Sequence, residues 1–235
     1  MAPTVAGVGS AQADVTAINL GLPAISFQTT DVNLVVAESV GGENFTTPSG
    51  WAHIDAVSPV VQGANTQLTV FWRRWQSGDG TVALNDTGNH QIGTTLTVRG
   101  CPASGNPWNI VAVQVDAVSD NSVTFPSVTT TIADCLILLI GAWSDDMTVA
   151  ALPVNANLTS ITEHVDQVTT AGNDGGIFVA SGIKATAGAT GTSTATLSGV
   201  AFKAMMTLAM APSAGAAATS LPLIRRNPMR GLIPR

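Results

Sequence analysis

Short apolar, β-branched runs separated by glycine-rich turns recur along the whole chain. The runs 31–39 and 135–143 are apolar on both strand faces, a pattern typical of central strands in a covered sheet. Residues 200–210 alternate instead, which indicates a strand with one heavier face. Turn signals such as Gly78-Asp-Gly80 and Gly172-Asn-Asp-Gly175 recur every ten to fifteen residues or so. The pattern predicts an all-β fold with antiparallel connections.

One sequence pattern occurs twice. A proline lies eight residues before Asp31 and again before Asp134, and each aspartate opens an apolar run. The segment 53–57 (HIDAV) is echoed by 164–168 (HVDQV), so the offset between copies varies between about 103 and 111 residues. Two small β units would fit this repeat, but each half holds too few strands to cover its own apolar face. We therefore predict one jelly-roll-like antiparallel β-sandwich over 1–212, with an internal pseudo-repeat.

Composition and charge narrow the classes of protein that fit. Of the 235 residues, 45% are hydrophobic and only 10% are charged, which suits a core-forming subunit of a crowded assembly. The acidic body argues against non-specific binding of nucleic acid, and no specific nucleic-acid partner is expected; a minor contact of the basic tail with packaged nucleic acid stays open. The absence of a signal peptide and of an 18-residue apolar run predicts cytoplasmic synthesis without membrane insertion. The unpatterned Cys101 and Cys135 predict reduced thiols.

The C-terminal segment differs in charge from the rest of the chain. Residues 221–235 carry four arginines and no acid, whereas residues 1–220 carry a net charge of −10. Three prolines in this segment exclude a continuous helix or a central strand. We predict a flexible linker at 213–220 and an extended arm at 221–235 that anchors on a neighbouring subunit. The alternative is an arm folded back on its own acidic body.

Seven residues of the arm are expected to contact the partner. The apolar side chains would act as anchors, and the arginines would form bidentate contacts with acidic groups. The seven are Leu223, Ile224, Arg225, Arg226, Arg230, Leu232 and Arg235.

Candidate catalytic groups lack the spacing that catalysis requires. Glu38 and Glu43 lie on either side of a turn, and no closely spaced carboxylate pair of the glycosidase type occurs. The two His-x-Asp pairs have no accompanying nucleophile motif, and their repetition favours a structural role. The oxygen-rich loop 79–90 resembles no calcium loop, and its Asp and Asn residues are typical of turns. We predict no catalytic residue, no metal and no cofactor, and therefore a protein that is not an enzyme.

Aromatic residues supply the remaining candidates for a binding surface. Trp72 and Trp75 share one strand, and Trp108 follows Pro107 in a predicted loop. Exposed tryptophans stack on sugar rings, although core and interface positions are commoner. The chain has no tyrosine, which disfavours a sugar-recognition surface. We keep Trp72, Trp75 and Trp108 as candidates for glycan or interface contact.

Several of these motifs together resemble one group of proteins. The Pro-x7-Asp run, the segment Pro48-Ser-Gly-Trp51, the strand 68–72 and the strand end Arg99-Gly100 resemble β-sandwich virion proteins of tailed bacteriophages and phage-like particles. The resemblance covers about residues 20–212 and does not include the arm. It implies a jelly-roll or lectin-like sandwich on a virion surface, on either the head or the tail.

The leading hypothesis is a capsid decoration protein, that is, a cement or head-spike subunit located in the virion. Its expected partners are the major capsid protein or other virion proteins, and it is expected to form a homo-oligomer. The alternative is a tail-associated or receptor-binding protein whose sandwich binds host polysaccharide. A free carbohydrate-active enzyme fits less well, because the chain lacks an export signal and a carboxylate pair.

Overall fold

The first half of the chain forms one large antiparallel sheet. The structure is a computed structural model that describes residues 1–213, and every residue range given for it lies within these bounds. In the first sheet the strand order is β1–β9–β4–β7–β5, with β2 beside β9 and β6 beside β7. Strands β3 and β8 form a separate two-stranded sheet. The elements are β1 (Thr4–Val8), β2 (Gln12–Asp14), β3 (Ile18–Gly21), β4 (Val32–Ser39), β5 (Ala52–His53), a 3-10 turn (Asp55–Val57), β6 (Val60–Gln62), β7 (Thr66–Arg74), β8 (Thr81–Leu84) and β9 (Gln91–Arg99).

The second half forms the second large sheet, with the order β10–β16–β12–β14–β13. Strands β11 and β15 form another two-stranded sheet. The bounds are β10 (Trp108–Phe125), β11 (Thr129–Thr130), β12 (Cys135–Trp143), β13 (Thr159–Thr169), β14 (Gly175–Lys184), β15 (Gly188–Ala189) and β16 (Ser193–Met210).

The two halves share one topology. In chain order and in pairing, β1 with β2 corresponds to β10, β4 to β12, β5 with β6 to β13, β7 to β14, and β9 to β16. The small sheet β3–β8 likewise corresponds to β11–β15. The predicted pseudo-repeat is confirmed. Each copy of the repeat consists of one large sheet and one two-stranded sheet.

The predicted all-β antiparallel sandwich is confirmed, and its connectivity is simpler than that of a jelly roll. Apart from the strands of the two small sheets, successive strands stay within one large sheet, and the chain passes to the other large sheet once, between β9 and β10. The halves meet through a single apolar core that includes Leu34 and Val70 of the first sheet and Leu138 and Met206 of the second. Neither half can bury this core face alone, because each supplies only one side of it.

The outer face of each large sheet is also covered. On the first sheet, Val35 and Phe71 pack against Leu20 and Val82 of the small sheet β3–β8. On the second sheet, a corresponding cluster around Phe178 lies under the distal parts of β10 and β16. Because β4 and β12 are the middle strands of their sheets and have both faces buried, their sequences are apolar on both faces.

The sandwich has two distinct ends. Strands β4 and β12 both begin at the same end of the sandwich. We call it the terminal end, because Ser213 donates its backbone N–H to the Gly100 carbonyl there and Pro3 lies close to Gly100. At the opposite end, which we call the acidic end, Gly175 of β14 lies against Glu38 of β4. The predicted arm 221–235 and the linker beyond Ser213 lie outside the described residues.

The sandwich also has two flanks, and at each flank an edge strand of one large sheet lies over an edge strand of the other. We call the flank of β5, β6 and β10 the closed flank and the flank of β1, β2 and β13 the open flank. Equivalent strands build them, since β5 with β6 corresponds to β13 and β10 corresponds to β1 with β2.

Candidate functional site

Two indole rings fill the closed flank. Trp108, at the start of β10, is only 7% exposed, and its ring meets that of Trp72 edge to face at a centroid distance of 5.0 Å. The Trp108 indole N–H donates to Asp55 Oδ2 at 2.9 Å. Asp55 has a φ of 46° and belongs to the 3-10 turn that interrupts the edge between β5 and β6. The flank is therefore sealed by packing and by one hydrogen bond between the two sheets.

The open flank contains a cleft of about 470 Å³. It lies between the junction of β1 and β2 and the edge strand β13, and its polar lining includes Ser10, Thr94, His164 and Gln167. The strand breaks at Gly9, where a Cβ atom would lie 2.3 Å from the Gly21 carbonyl oxygen. Only glycine permits that approach, and the break separates β1 from β2 where β10 continues unbroken.

The strand register shows why one flank is filled and the other is not. We align β4 and β12 on Val32 and Leu136, the first residue of each strand that faces the main core. In this alignment Val5 corresponds to Trp108, since their partners Val98 and Met210 pair with Val32 and Leu136. By the same criterion Ser181 corresponds to Trp72, and Thr94 corresponds to Met206. Three large apolar side chains of the closed flank are thus replaced by two small polar residues and one valine at the open flank.

The repeated histidines do not contact the aspartates that follow them. In the described structure, His53 lies with Nε2 at 3.1 Å from Thr47 Oγ1 and Nδ1 at 3.4 Å from Ser58 Oγ. His164 Nε2 lies 2.7 Å from Ser181 Oγ. Burial lowers the pKa of both histidines, which favours the neutral ring. These contacts tie each edge strand to its neighbour or to a loop, in keeping with a repeated structural role.

Asp166 of the open flank lacks the partner that Asp55 has. Val165 faces the main core, and the Asp166 side chain turns to the outer face, where Oδ2 accepts the Val149 backbone N–H at 3.0 Å. Its other oxygen, Oδ1, is buried without a hydrogen-bond partner among residues 1–213. Burial raises the pKa of Asp166 to about 6, and the nearby charge of Glu163 contributes. The edge strand therefore carries an incompletely paired carboxylate.

A buried acid–histidine pair lies at the acidic end. Glu38 Oε2 is 2.9 Å from His90 Nε2, and Thr66 Oγ1 donates to Glu38 Oε1 at 3.0 Å. Burial raises the pKa of Glu38 against the opposing effect of His90. Burial alone would lower the pKa of His90, but its hydrogen bond to Glu38 raises it. Gly175 packs so closely that a Cβ atom there would lie 2.5 Å from both side chains.

This pair is closed to any substrate, because both side chains have zero exposure. Lys203 is also fully buried, and its Nζ donates to the carbonyl oxygens of Ala201, Val118 and Asp120. It also donates to Asp120 Oδ1 at 2.8 Å and lies 3.3 Å from Asp116 Oδ2. The carbonyl and carboxylate partners come mainly from the bulge of β10 at 116–120, so this lysine holds the bend of that strand.

The candidate tryptophans are used within the protein to different degrees. Trp72 and Trp108 contact each other and the main core. Trp75 is partly buried and stacks on Phe27 at 5.6 Å with an interplanar angle of 4°. Consequently Trp108, expected in a loop, opens a strand and offers no free ring face to a ligand.

The oxygen-rich segment 79–90, predicted to be a loop, contains β8, and its aspartates on either side of that strand make turn contacts. Asp79 accepts the Gln76 backbone N–H and pairs with Arg73 at 2.7 Å, and Asp86 accepts the N–H of Gly88. Across residues 1–213, no group of three or more His, Cys, Asp or Glu side chains is arranged to hold a metal ion.

Comparison with known proteins adds no relative. No protein-family model matches the chain, and neither a curated protein nor a solved structure matches it. Among the described residues, no helix has the length and apolar character needed to span a membrane.

Proposed function

We propose that this chain is a non-enzymatic structural subunit of a phage-like virion, namely a capsid decoration protein anchored by residues 221–235. The proposal joins the resemblance of residues 20–212 to virion sandwich proteins with the charge distribution of the molecule. That distribution is the observation that carries it.

Charge is separated along the sandwich. At the terminal end lie Arg73, Arg74 and Lys184, which pair with the first residues of β4 and β12, together with Arg99 at the end of β9. At the acidic end the loops carry carboxylates with Lys203 as the only lysine or arginine nearby in the described chain, and that lysine is buried. These carboxylates are Glu43, Asp86, Asp145, Asp146 and Asp174.

At the terminal end, the sandwich offers few free charged or apolar side chains that could bind a partner. Arg99 pairs with Asp31 at 2.7 Å and Arg73 pairs with Asp79 at 2.7 Å, so these cations are already engaged. Both faces of each large sheet are covered. The arm, in contrast, brings four arginines and six leucine, isoleucine and methionine side chains in fifteen residues. We therefore assign attachment to the arm.

The position of Ser213 gives the attachment a direction. Because Ser213 lies at the terminal end, the arm follows in the chain from that end, and the acidic end lies at the far end of the sandwich.

Truncation after Ser213 tests this proposal. The truncated protein should keep the melting temperature of the full chain but fail to bind particles that lack the decoration protein. A full-length variant with the four arm arginines changed to lysine is the matched control, since it keeps the charge and loses the bidentate geometry. Normal occupancy of particles by the truncated protein would refute an anchoring role for the arm.

The alternative, polysaccharide binding by a tail-associated protein, has less support. Its sequence basis was a set of tryptophans, and Trp72 and Trp108 are engaged with each other in the closed flank.

A further inference from the structure

We propose that the open flank is the docking site for residues 223–227 of a second copy of this chain, which add a strand to the free edge of β13. This inference rests on the proposed anchoring role of the arm, and it names a second copy of this chain as the neighbour that residues 223–227 contact. Its four supporting observations are the free edge, the unpaired acids, the composition of the segment and the strand direction.

The edge of β13 is available for pairing. Within the described chain β13 pairs only with β14, so its other side presents unpaired backbone groups beside the cleft. Such an edge is a template for an incoming strand, in which main-chain hydrogen bonds supply affinity. At the closed flank, the link between Trp108 and Asp55 joins the two sheets and fills the corresponding space.

Unpaired acids mark the open flank and not the closed one. Glu163 is exposed and makes no hydrogen bond or ion pair within residues 1–213, and Asp166 Oδ1 has no partner there. At the closed flank, Asp55 accepts from Trp108, while Asp116 and Asp120 are paired with Lys203. The exposed, unpaired carboxylate of Glu163 therefore complements an arginine-bearing segment.

The segment 223–227 (LIRRN) has the composition for this role. It lies between Pro222 and Pro228, so its five residues form an uninterrupted set of backbone donors. Fully extended, it spans about 17 Å, the length of five strand residues of β13. Successive side chains alternate between faces, so Ile224 can enter the cleft while Arg225 reaches the exposed Glu163. The second window, 229–233, contains Gly231, which disfavours a strand.

Strand direction favours the arm of a second copy over the arm of the same chain. Strand β13 runs from the terminal end, where Thr159 pairs with Ile183, to the acidic end, where Thr169 pairs with Gly175. An arm of the same chain that runs straight from the terminal end would lie parallel to β13. All strand pairs of the described chain are antiparallel, and antiparallel pairing is the more stable arrangement. A second copy in the opposite orientation supplies an antiparallel strand, and the exchange is reciprocal in a two-fold dimer.

Cross-linking of full-length chains tests the site and the source of the strand. Chains carrying Gln167→Cys are mixed with isotope-labelled chains carrying Asn227→Cys, and bismaleimide products are identified by mass spectrometry. The natural Cys101 and Cys135 are buried and should not react. The expected product joins labelled and unlabelled chains. Val115→Cys, at the edge of β10 and 44% exposed, is the matched control and should give at least about tenfold less product.

The outcomes separate the alternatives. Equal product from Val115→Cys and Gln167→Cys, or no product from either, overturns the assignment to the open flank. A chain that carries both Gln167→Cys and Asn227→Cys and forms only an internal cross-link, even when concentrated, overturns the assignment to a second copy.

Charge reversal gives an independent measurement by sedimentation velocity. Glu163→Lys should weaken self-association by about tenfold. Adding Arg225→Glu to the same chain should restore it, whereas Asp146→Lys at the acidic end should have no effect. Unchanged association in Glu163→Lys contradicts the inference. These assays contain no particles, so they can fail while the truncation test succeeds, and the reverse is also possible.

Discussion

The closed and open flanks are built from corresponding strands, yet aromatic side chains fill only the first. At equivalent positions, Trp108 is replaced by Val5 and Trp72 by Ser181. The main core between the sheets is apolar in both halves, because each sheet buries its inner face against the other sheet. The two halves thus share the apolar core that stabilises the fold. They differ at the flanks, where a side chain can change without exposing the core.

A second difference of the same kind lies at the acidic end. By register, Glu38 corresponds to Ala142 and Gln91 to Lys203, so His90, the residue before Gln91, takes the place of the partly buried Phe202. A buried, hydrogen-bonded acid–histidine pair in one half thus occupies positions that hold apolar residues in the other. Since a buried pair loses its hydration, an apolar replacement of similar volume is often as stable. The repeat itself supplies such a replacement.

The largest effect is expected at the closed flank. Trp108→Ala removes a nearly buried indole and leaves Asp55 without its donor, so the free energy of unfolding should fall by about 3–5 kcal/mol. Urea denaturation would measure this loss. Val5→Ala at the equivalent position of the open flank is the control and should cost no more than about 1.5 kcal/mol. Equal losses would mean that the two flanks do not differ in packing.

A smaller effect is expected at the buried pair. His90→Ala leaves Glu38 buried without its main partner and should cost about 3 kcal/mol. The double variant Glu38→Ala, His90→Phe copies the second sheet and should lie within about 1 kcal/mol of the natural protein. Thermal denaturation at neutral pH distinguishes these results. If the double variant is as unstable as His90→Ala, the two acidic-end positions are not interchangeable between the halves.

The smallest effect concerns the unpaired carboxylate of the open flank. The pKa of Asp166 is raised from 3.8 to about 6. Between these two pH values, the folded state holds a proton that the unfolded state releases. Its stabilising contribution is complete below pH 3.8 and is lost as the pH rises through about 6. Asp166→Asn should remove this loss and raise stability at pH 7 by about 1 kcal/mol.

Melting curves from pH 3.5 to 8 test this, with Asp55→Asn at the closed flank as the control. The difference between the natural protein and Asp166→Asn should grow between pH 4 and 6 or so and then level off. A difference that is independent of pH would show that Asp166 titrates normally.

Much of the fold could be predicted from local pattern. The doubly apolar runs at 31–39 and 135–143 become the middle strands β4 and β12, and the repeated motifs mark two equivalent sheets. The polar sites were less predictable. His53 and His164 were grouped with neighbouring aspartates, but a 3-10 turn after the first and a bulge around the second direct these side chains elsewhere. Local spacing cannot specify such interruptions, because they depend on the packing of the edge strand.

The sequence by itself determined the all-β class, the two middle strands, the repeat and the contrast in charge between the body and residues 221–235. These features depend on side chains that are near one another in the chain. Only the tertiary structure decided that His90 meets Glu38, 52 residues away, that Trp108 meets Asp55, 53 residues away, and that a cleft opens beside β13. Each depends on the register between distant strands and on how closely two sheets approach, and pairing of distant strands leaves no local signal in the sequence.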